Sequence, residues 1–282
     1  MKLFSHRVFI DENQRKKYLF IISLLFSCCI AVTHSLNQYL VYGKDFVEIV
    51  ANEDSYTINP CLPVYNVYNF WIGCDSKSLI SKLYFKIVPF ISIAPNIISG
   101  ILSNRKHHIP SKNMNLTLYF KKYIDSLLFS GLIVIIPLIL NFCILLLFFP
   151  LTTPDSIYDI YYGVFSGDFL ADIYYSHPYL YVLIYLLIDF IICGLFGCLI
   201  LSFSLLEKFQ YSASIIPFGL LLFFEAINNK YHTRFLVEIS PLSIMFPATS
   251  HNSNLIVIST EISILILFSL ILPMARSNEY EA

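Results

Sequence analysis

Residues 124–149 read IDSLLFSGLIVIIPLILNFCILLLFF, with one charged side chain, Asp125, in a stretch dominated by Leu, Ile and Phe. A helix crosses a hydrocarbon core of about 30 Å with about 20 mostly apolar residues. This stretch is long enough and apolar enough to do so. Five others read the same way: 18–36, 83–102, 179–205, 213–228 and 255–274. Pro89 and Pro95 fall in the second span, Pro137 in the third and Pro217 in the fifth. Proline is tolerated in spanning helices where neighbouring groups satisfy the freed carbonyls. No span alternates with period two, which argues against a barrel. The expected fold class is all-α, a single polytopic membrane domain of six transmembrane helices over residues 1–282.

Composition points the same way. The chain is 57% hydrophobic and only 13% charged, against about 25% charged in soluble domains. Lipid is the solvent such a surface requires.

The charges that remain are unevenly placed. Cytoplasmic loops of membrane proteins carry an excess of Lys and Arg. In the six-span reading one side holds Lys2, Arg7, Arg15, Lys16, Lys17, Arg105, Lys106, Lys112, Lys121, Lys122, Lys208 and Arg276. The other holds Lys44, Lys77, Lys82, Lys86, Lys230 and Arg234. Both termini and the basic segment 103–122 are therefore expected in the cytoplasm. Residues 37–82, 150–178 and 229–254 are expected outside. The N-terminal HRVFIDENQRKKY would lie along the inner interface, ahead of a first helix that is retained, because CCIAVTHSLNQ has no A-x-A cleavage site.

The outer segments differ in character. CLPVYNVYNFWIGC places Cys61 and Cys74 close in sequence, and outside a bacterial membrane a disulfide between them is chemically permitted. PDSIYDIYYGVFSGDFLADIYYSHPYLY is acidic and rich in Tyr and Phe. It reads first as an interfacial aromatic belt, and second as a surface for a cationic or amphipathic ligand. EISPLSIMFP, broken by Pro241 and Pro247, reads as a short re-entrant element packed against other helices before the last span.

Catalytic signatures are absent. There is no phosphate-binding loop, no H-E-x-x-H pair, no G-x-S-x-G turn and no C-x-x-C pair. His107 and His108 are adjacent, so they would diverge on a helix rather than share a metal. Each charge near the bilayer centre costs roughly 2.5–3.5 kcal/mol on insertion scales, which singles out Asp189, Glu225 and Glu261 as candidates for a substrate or proton pathway. Gly194 and Gly197 in CGLFGC allow two helices to approach closely.

The order of these parts carries a resemblance. YFKIVPFISIAPNIISGILSNRK, then LYFKKYIDSLLFSG and LIVIIPLILN with Pro137, Leu138 and Asn141, resembles the membrane subunits of bacterial ATP-binding cassette transporters of the type-2, export-type permease class. EISPLSIMFP before the last helix is similar to a re-entrant outer element of that class. The resemblance implies that residues 103–122 dock a separate ATPase, with Ser103, Asn104, Arg105, Lys106, Lys112, Asn113, Lys121 and Lys122 as contact candidates. It also implies ATP and Mg in the partner ATPase, none in this chain, and a second permease subunit beside this one. The expected partners include membrane lipid but no nucleic acid.

The expected function is thus a permease subunit of an ATP-driven exporter in the bacterial cell membrane. It would have no catalytic, cofactor-binding or metal-binding residues of its own. A cationic or amphipathic peptide fits the acidic, aromatic outer face. The alternatives are a polytopic membrane enzyme using Asp189, Glu225, Glu261 and the histidines, or a non-transporting sensor or immunity protein.

Overall fold

The computed structural model describes residues 2–51, 64–106, 116–204, 216, 219, 220, 222, 223, 225–227, 230, 240–249 and 255–279; side chains of 2–13, 51, 98–106, 116–119, 204, 249 and 272–279 lie outside that description. Every regular element among the described residues is helical. The first helix, α1, runs Lys2–Gln38 and continues through a π-helical turn, Tyr39–Gly43, into α2, Lys44–Ala51. The basic N-terminal segment, expected to lie apart along an interface, is therefore the opening of α1 itself. Backbone hydrogen bonding does not stop where side chains become polar, so helices outrun their apolar cores. The same reason makes α4, Leu79–Lys106, and α5, Leu116–Leu145, extend into the segment 103–122 that was expected to be a loop. The remaining helices are α3, Val67–Phe70; α6, Ala171–Ser176; α7, Pro178–Ser204; α8, Pro241–Met245; and α9, Leu255–Glu279.

Three stretches of helix among the described residues are long and apolar enough to cross a membrane: Gln14–Val50, Phe120–Leu145 and Pro178–Phe203. A helix apolar on all sides is either buried or lipid-facing. Both conditions occur here, since Leu183 and Leu187 of α7 are exposed while Ile192, Cys193 and Ile200 are buried. The chain is thus an all-α protein whose helices suggest a multi-pass membrane protein.

The long helices α1, α4, α5 and α7 alternate in direction, and α9 runs the same way as α7. Tyr123 near the start of α5 meets Ser269 near the end of α9 through their hydroxyls, at 2.8 Å. Ser202 near the end of α7 donates to the Ser269 carbonyl at 2.7 Å, and Lys16 of α1 lies 5.1 Å from the centre of the Phe129 ring. At the opposite end of the bundle the close of α1, the start of α4, the close of α5 and the start of α7 converge around Asp75. We name the two ends after Ser202 and Asp75.

Small residues and prolines shape the packing. The α5–α7 pairing is the most extensive, and a Cβ at Gly197 would fall on Ser130 Oγ and Asn96 Nδ2. A Cβ at Gly194 would press on Leu127, and one at Gly131 on the Phe190 ring. In α5, Pro137 removes a helical donor. The carbonyl this frees is that of Ile133; two neighbouring carbonyls gain side-chain donors, Tyr84 Oη to Val134 O at 2.6 Å and Trp71 Nε1 to Leu138 O at 3.2 Å.

The Asp75 end is closed by a cap of short elements. Val67 N donates to Pro150 O, Ala248 N donates to Gly73 O, and Gly163 packs so tightly on Cys74 O that a Cβ there could not fit. The tyrosine-rich segment, first expected to form an interfacial belt, is divided: Tyr161 and Tyr179 are exposed, whereas Tyr162, Tyr174 and Tyr181 are buried, as is Tyr185 of α7. The buried four form a file of rings from the cap into α7, with the Tyr174–Tyr181 and Tyr181–Tyr185 centroids 5.1 and 4.8 Å apart. Burial pushes the Tyr174 and Tyr175 phenols up from the ordinary tyrosine range, leaving them neutral groups, and Tyr175 Oη donates to Val164 O at 2.6 Å. Next to the cap, α8 is buried between α4 and α7. Met245 Sδ comes within 3.7 Å of Cys193 Sγ in the middle third of α7, and Phe246 stacks on Phe85 at 4.8 Å.

Candidate functional site

The most developed polar site lies at the Asp75 end and joins three long helices. His34 and Gln38 stand four residues apart on α1, hence on one face. Asp75 lies in the turn before α4, and Asn141 is one turn from the end of α5. All four are buried. Asn141 Oδ1 accepts from Ile72 N at 3.0 Å, so its amide nitrogen must point the other way. That nitrogen shares its two hydrogens among His34 Nδ1 at 3.0 Å, Ser35 Oγ at 2.7 Å and Ala31 O at 3.1 Å. His34 therefore accepts at Nδ1 and donates from Nε2 to Asp75 Oδ2, at 3.0 Å. Gln38 Nε2 donates to the same oxygen.

Asp75 is thereby supplied with donors from two directions. Its Oδ1 accepts from Lys77 N and Ser78 N, each at 3.1 Å. The carboxylate both caps the turn entering α4 and ties that turn to α1. It also sits where the amide dipoles of α4 favour negative charge. Sequence reasoning singled out none of His34, Gln38 and Asp75 as a cluster. The signal present was the spacing of His34 and Gln38 along one face; their partners are far away in sequence.

The acids proposed for a pathway fall in other settings. Asp189 is wholly buried on α7, and neither carboxyl oxygen has a hydrogen-bonding partner among the described residues. Glu261 on α9 is mostly buried, with Oε2 likewise unpartnered. Glu225 forms an ion pair with Lys86 at 3.3 Å. The structure does not bring the three acids into one cluster, and no group of three or more metal-ligating side chains occurs among the described residues. Nearer the Ser202 end, Asn96 Nδ2 donates to Ser130 Oγ at 2.8 Å, which donates to Ser92 O at 3.0 Å. This links α4 to α5 beside Gly197.

Of the docking candidates, Ser103, Asn104, Arg105 and Lys106 form the last turn of α4. Lys121 is exposed and Lys122 half-buried in the opening turns of α5. Lys112 and Asn113 lie outside the described residues, as do His107 and His108. All the described candidates belong to the Ser202 end. Cys61 also lies outside the described residues. Cys74 is a buried thiol, and burial pushes its pKa well up. Compared with protein-family models, curated proteins and solved structures, the chain matches none.

Proposed function

We propose that this chain is the membrane-spanning permease subunit of an ATP-driven exporter, working beside separate ATPase subunits and a second permease subunit in a bacterial cell membrane. The observation that carries the reading is the separation of charge between the two ends. Arg15, Lys16, Lys17, Lys106, Lys121 and Lys122 outnumber Asp11, Glu12 and Asp125 at the Ser202 end, and Asp75, Asp155, Asp159, Asp168 and Asp172 outnumber Lys44, Lys77 and Lys82 at the capped end. An excess of Lys and Arg marks the cytoplasmic face. The basic connection between α4 and α5 is then the cytoplasmic surface on which an ATPase docks.

Six crossings are consistent with where the chain leaves and returns. It departs α7 at the Ser202 end and re-enters at Pro241 near the Asp75 end, so residues 205–240 connect opposite faces. The apolar stretch 213–228 supplies a fifth crossing and α9 the sixth. Buried α8, reaching the middle of α7, is the re-entrant element of this reading. The exported substrate is a cationic or amphipathic peptide met at the acidic, aromatic face.

The test is co-purification with a co-expressed ATPase, using wild type and the double variant Arg105→Glu/Lys106→Glu after its membrane orientation has been checked. Charge reversal at an interface can cost several kcal/mol. The variant should lose the ATPase or uncouple hydrolysis from transport. Assembly and coupling at wild-type levels would reduce the basic pair to a topological anchor.

A further inference from the structure

The cap encloses a cavity of about 230 Å³ that opens beside the His34–Asp75 cluster. Its lining combines the rings of Tyr42, Tyr65 and Phe70 with Asp75 and Gln38, while Lys77 stands at the border. The rings pack as a unit: Tyr42 stacks on Phe70 at 5.0 Å and Tyr65 lies 6.0 Å from Phe70. Two acceptors stand in this lining beside the hydroxyls of Tyr42, Tyr65 and Ser76. Asp75 carries a buried carboxylate, and Gln38 keeps Oε1 buried without a donor among the described residues. The Lys77 and Ser78 amides are already used by Asp75. Lys77 itself is exposed, its ammonium donating to Tyr161 O at 3.4 Å. A negative charge, a spare amide acceptor and aromatic faces together favour a cation with N–H donors.

We infer that this cavity is a binding site for an alkylammonium group, the end of a lysine side chain or of a small primary amine. The volume admits one such head group and its short alkyl stem, not a drug-sized molecule. The carboxylate supplies the charge, Gln38 Oε1 accepts an N–H, and the rings cover the stem. Lys77 opposes the ligand by like charge from the border. The peptide source of the group rests on the export reading; the site itself does not, because the residues argued from all belong to this chain.

The experiment uses the full chain in lipid nanodiscs with no ATPase present. Binding of n-butylammonium, n-butanol and butyrate is followed by calorimetry and by the fluorescence of Trp71, the single tryptophan. Butylammonium should saturate and bind about tenfold more tightly than butanol, with butyrate weakest. Lys77→Gln, at an exposed position, should tighten butylammonium severalfold, and Tyr42→Leu should weaken it. A short peptide with one lysine, set against its norleucine counterpart, separates a peptide side chain from a free amine as the source. Equal affinity for butylammonium and butanol, or weaker ammonium binding in Lys77→Gln, would overturn the site. Loss of ATPase coupling in the earlier test would leave it standing.

Discussion

Asp75 and Asp189 are both buried acids, 8% and 0% exposed, yet the protein surrounds them in opposite ways. Asp75 receives side-chain donors from two residues of α1 and main-chain donors from the turn before α4. Asp189, in the middle of α7, receives none among the described residues. A fully satisfied buried network fixes the relative position of the elements that feed it. Asp189 makes no such tie among the described residues. Asp75 is a structural tie that also lines a cavity. Asp189 keeps its place as a pathway candidate.

The largest expected effect separates the two directly. Asp75→Ala leaves His34 Nε2 and Gln38 Nε2 buried without an acceptor and strips the turn before α4 of the acceptor for Lys77 N and Ser78 N, which should cost about 2–5 kcal/mol. Thermal unfolding followed by Trp71 fluorescence measures it, since Trp71 is buried beside this end. A midpoint unchanged from wild type would remove the structural role assigned to the network.

Overpacking comes next. Gly197→Leu forces a side chain onto Ser130 Oγ and Asn96 Nδ2 and should destabilise by about 1–3 kcal/mol. Gly219→Ala is its control, because nothing among the described residues lies within 4 Å of a Cβ there. In that variant stability should hold or rise by up to about 1 kcal/mol. The same unfolding assay compares them, and equal losses would contradict the close α5–α7 approach.

Lys86→Gln should do less. The lysine is 53% exposed, so loss of its pair with Glu225 is discounted to below about 1 kcal/mol. A double-mutant cycle with Glu225→Gln measures the coupling.

The smallest stability effect is expected at Asp189. Asp189→Asn breaks no hydrogen bond among the described residues and should shift stability by less than about 1 kcal/mol. On the proposed export function, transport should nevertheless fall. A stability loss as large as that of Asp75→Ala would show that Asp189 has a structural partner, and unchanged transport would remove it from the pathway.

Much of the frame was readable from the chain. The apolar stretches around 18–36, 124–149 and 179–205 became long helices because each offers a surface only lipid or protein can cover. Gly194 and Gly197 marked a close contact, since a missing side chain is visible in any sequence. The tyrosines of 158–185 were harder to place. Their composition suits an interface, but whether such a ring faces lipid or lies inside depends on what is folded over it. Here the segments around Cys74 and Pro150 cover the inner ones.

What the sequence determined by itself is the class of protein and the sorting of charge, because apolar length and the placement of Lys and Arg are properties of the chain alone. Tertiary structure decided which polar groups matter together. His34 and Asp75 are 41 residues apart, and His34 and Asn141 are 107 apart. No local spacing records such pairs. They meet because α1, α4 and α5 pack with alternating direction, and because Asn141, turned by the Ile72 amide, can present only its nitrogen to the histidine.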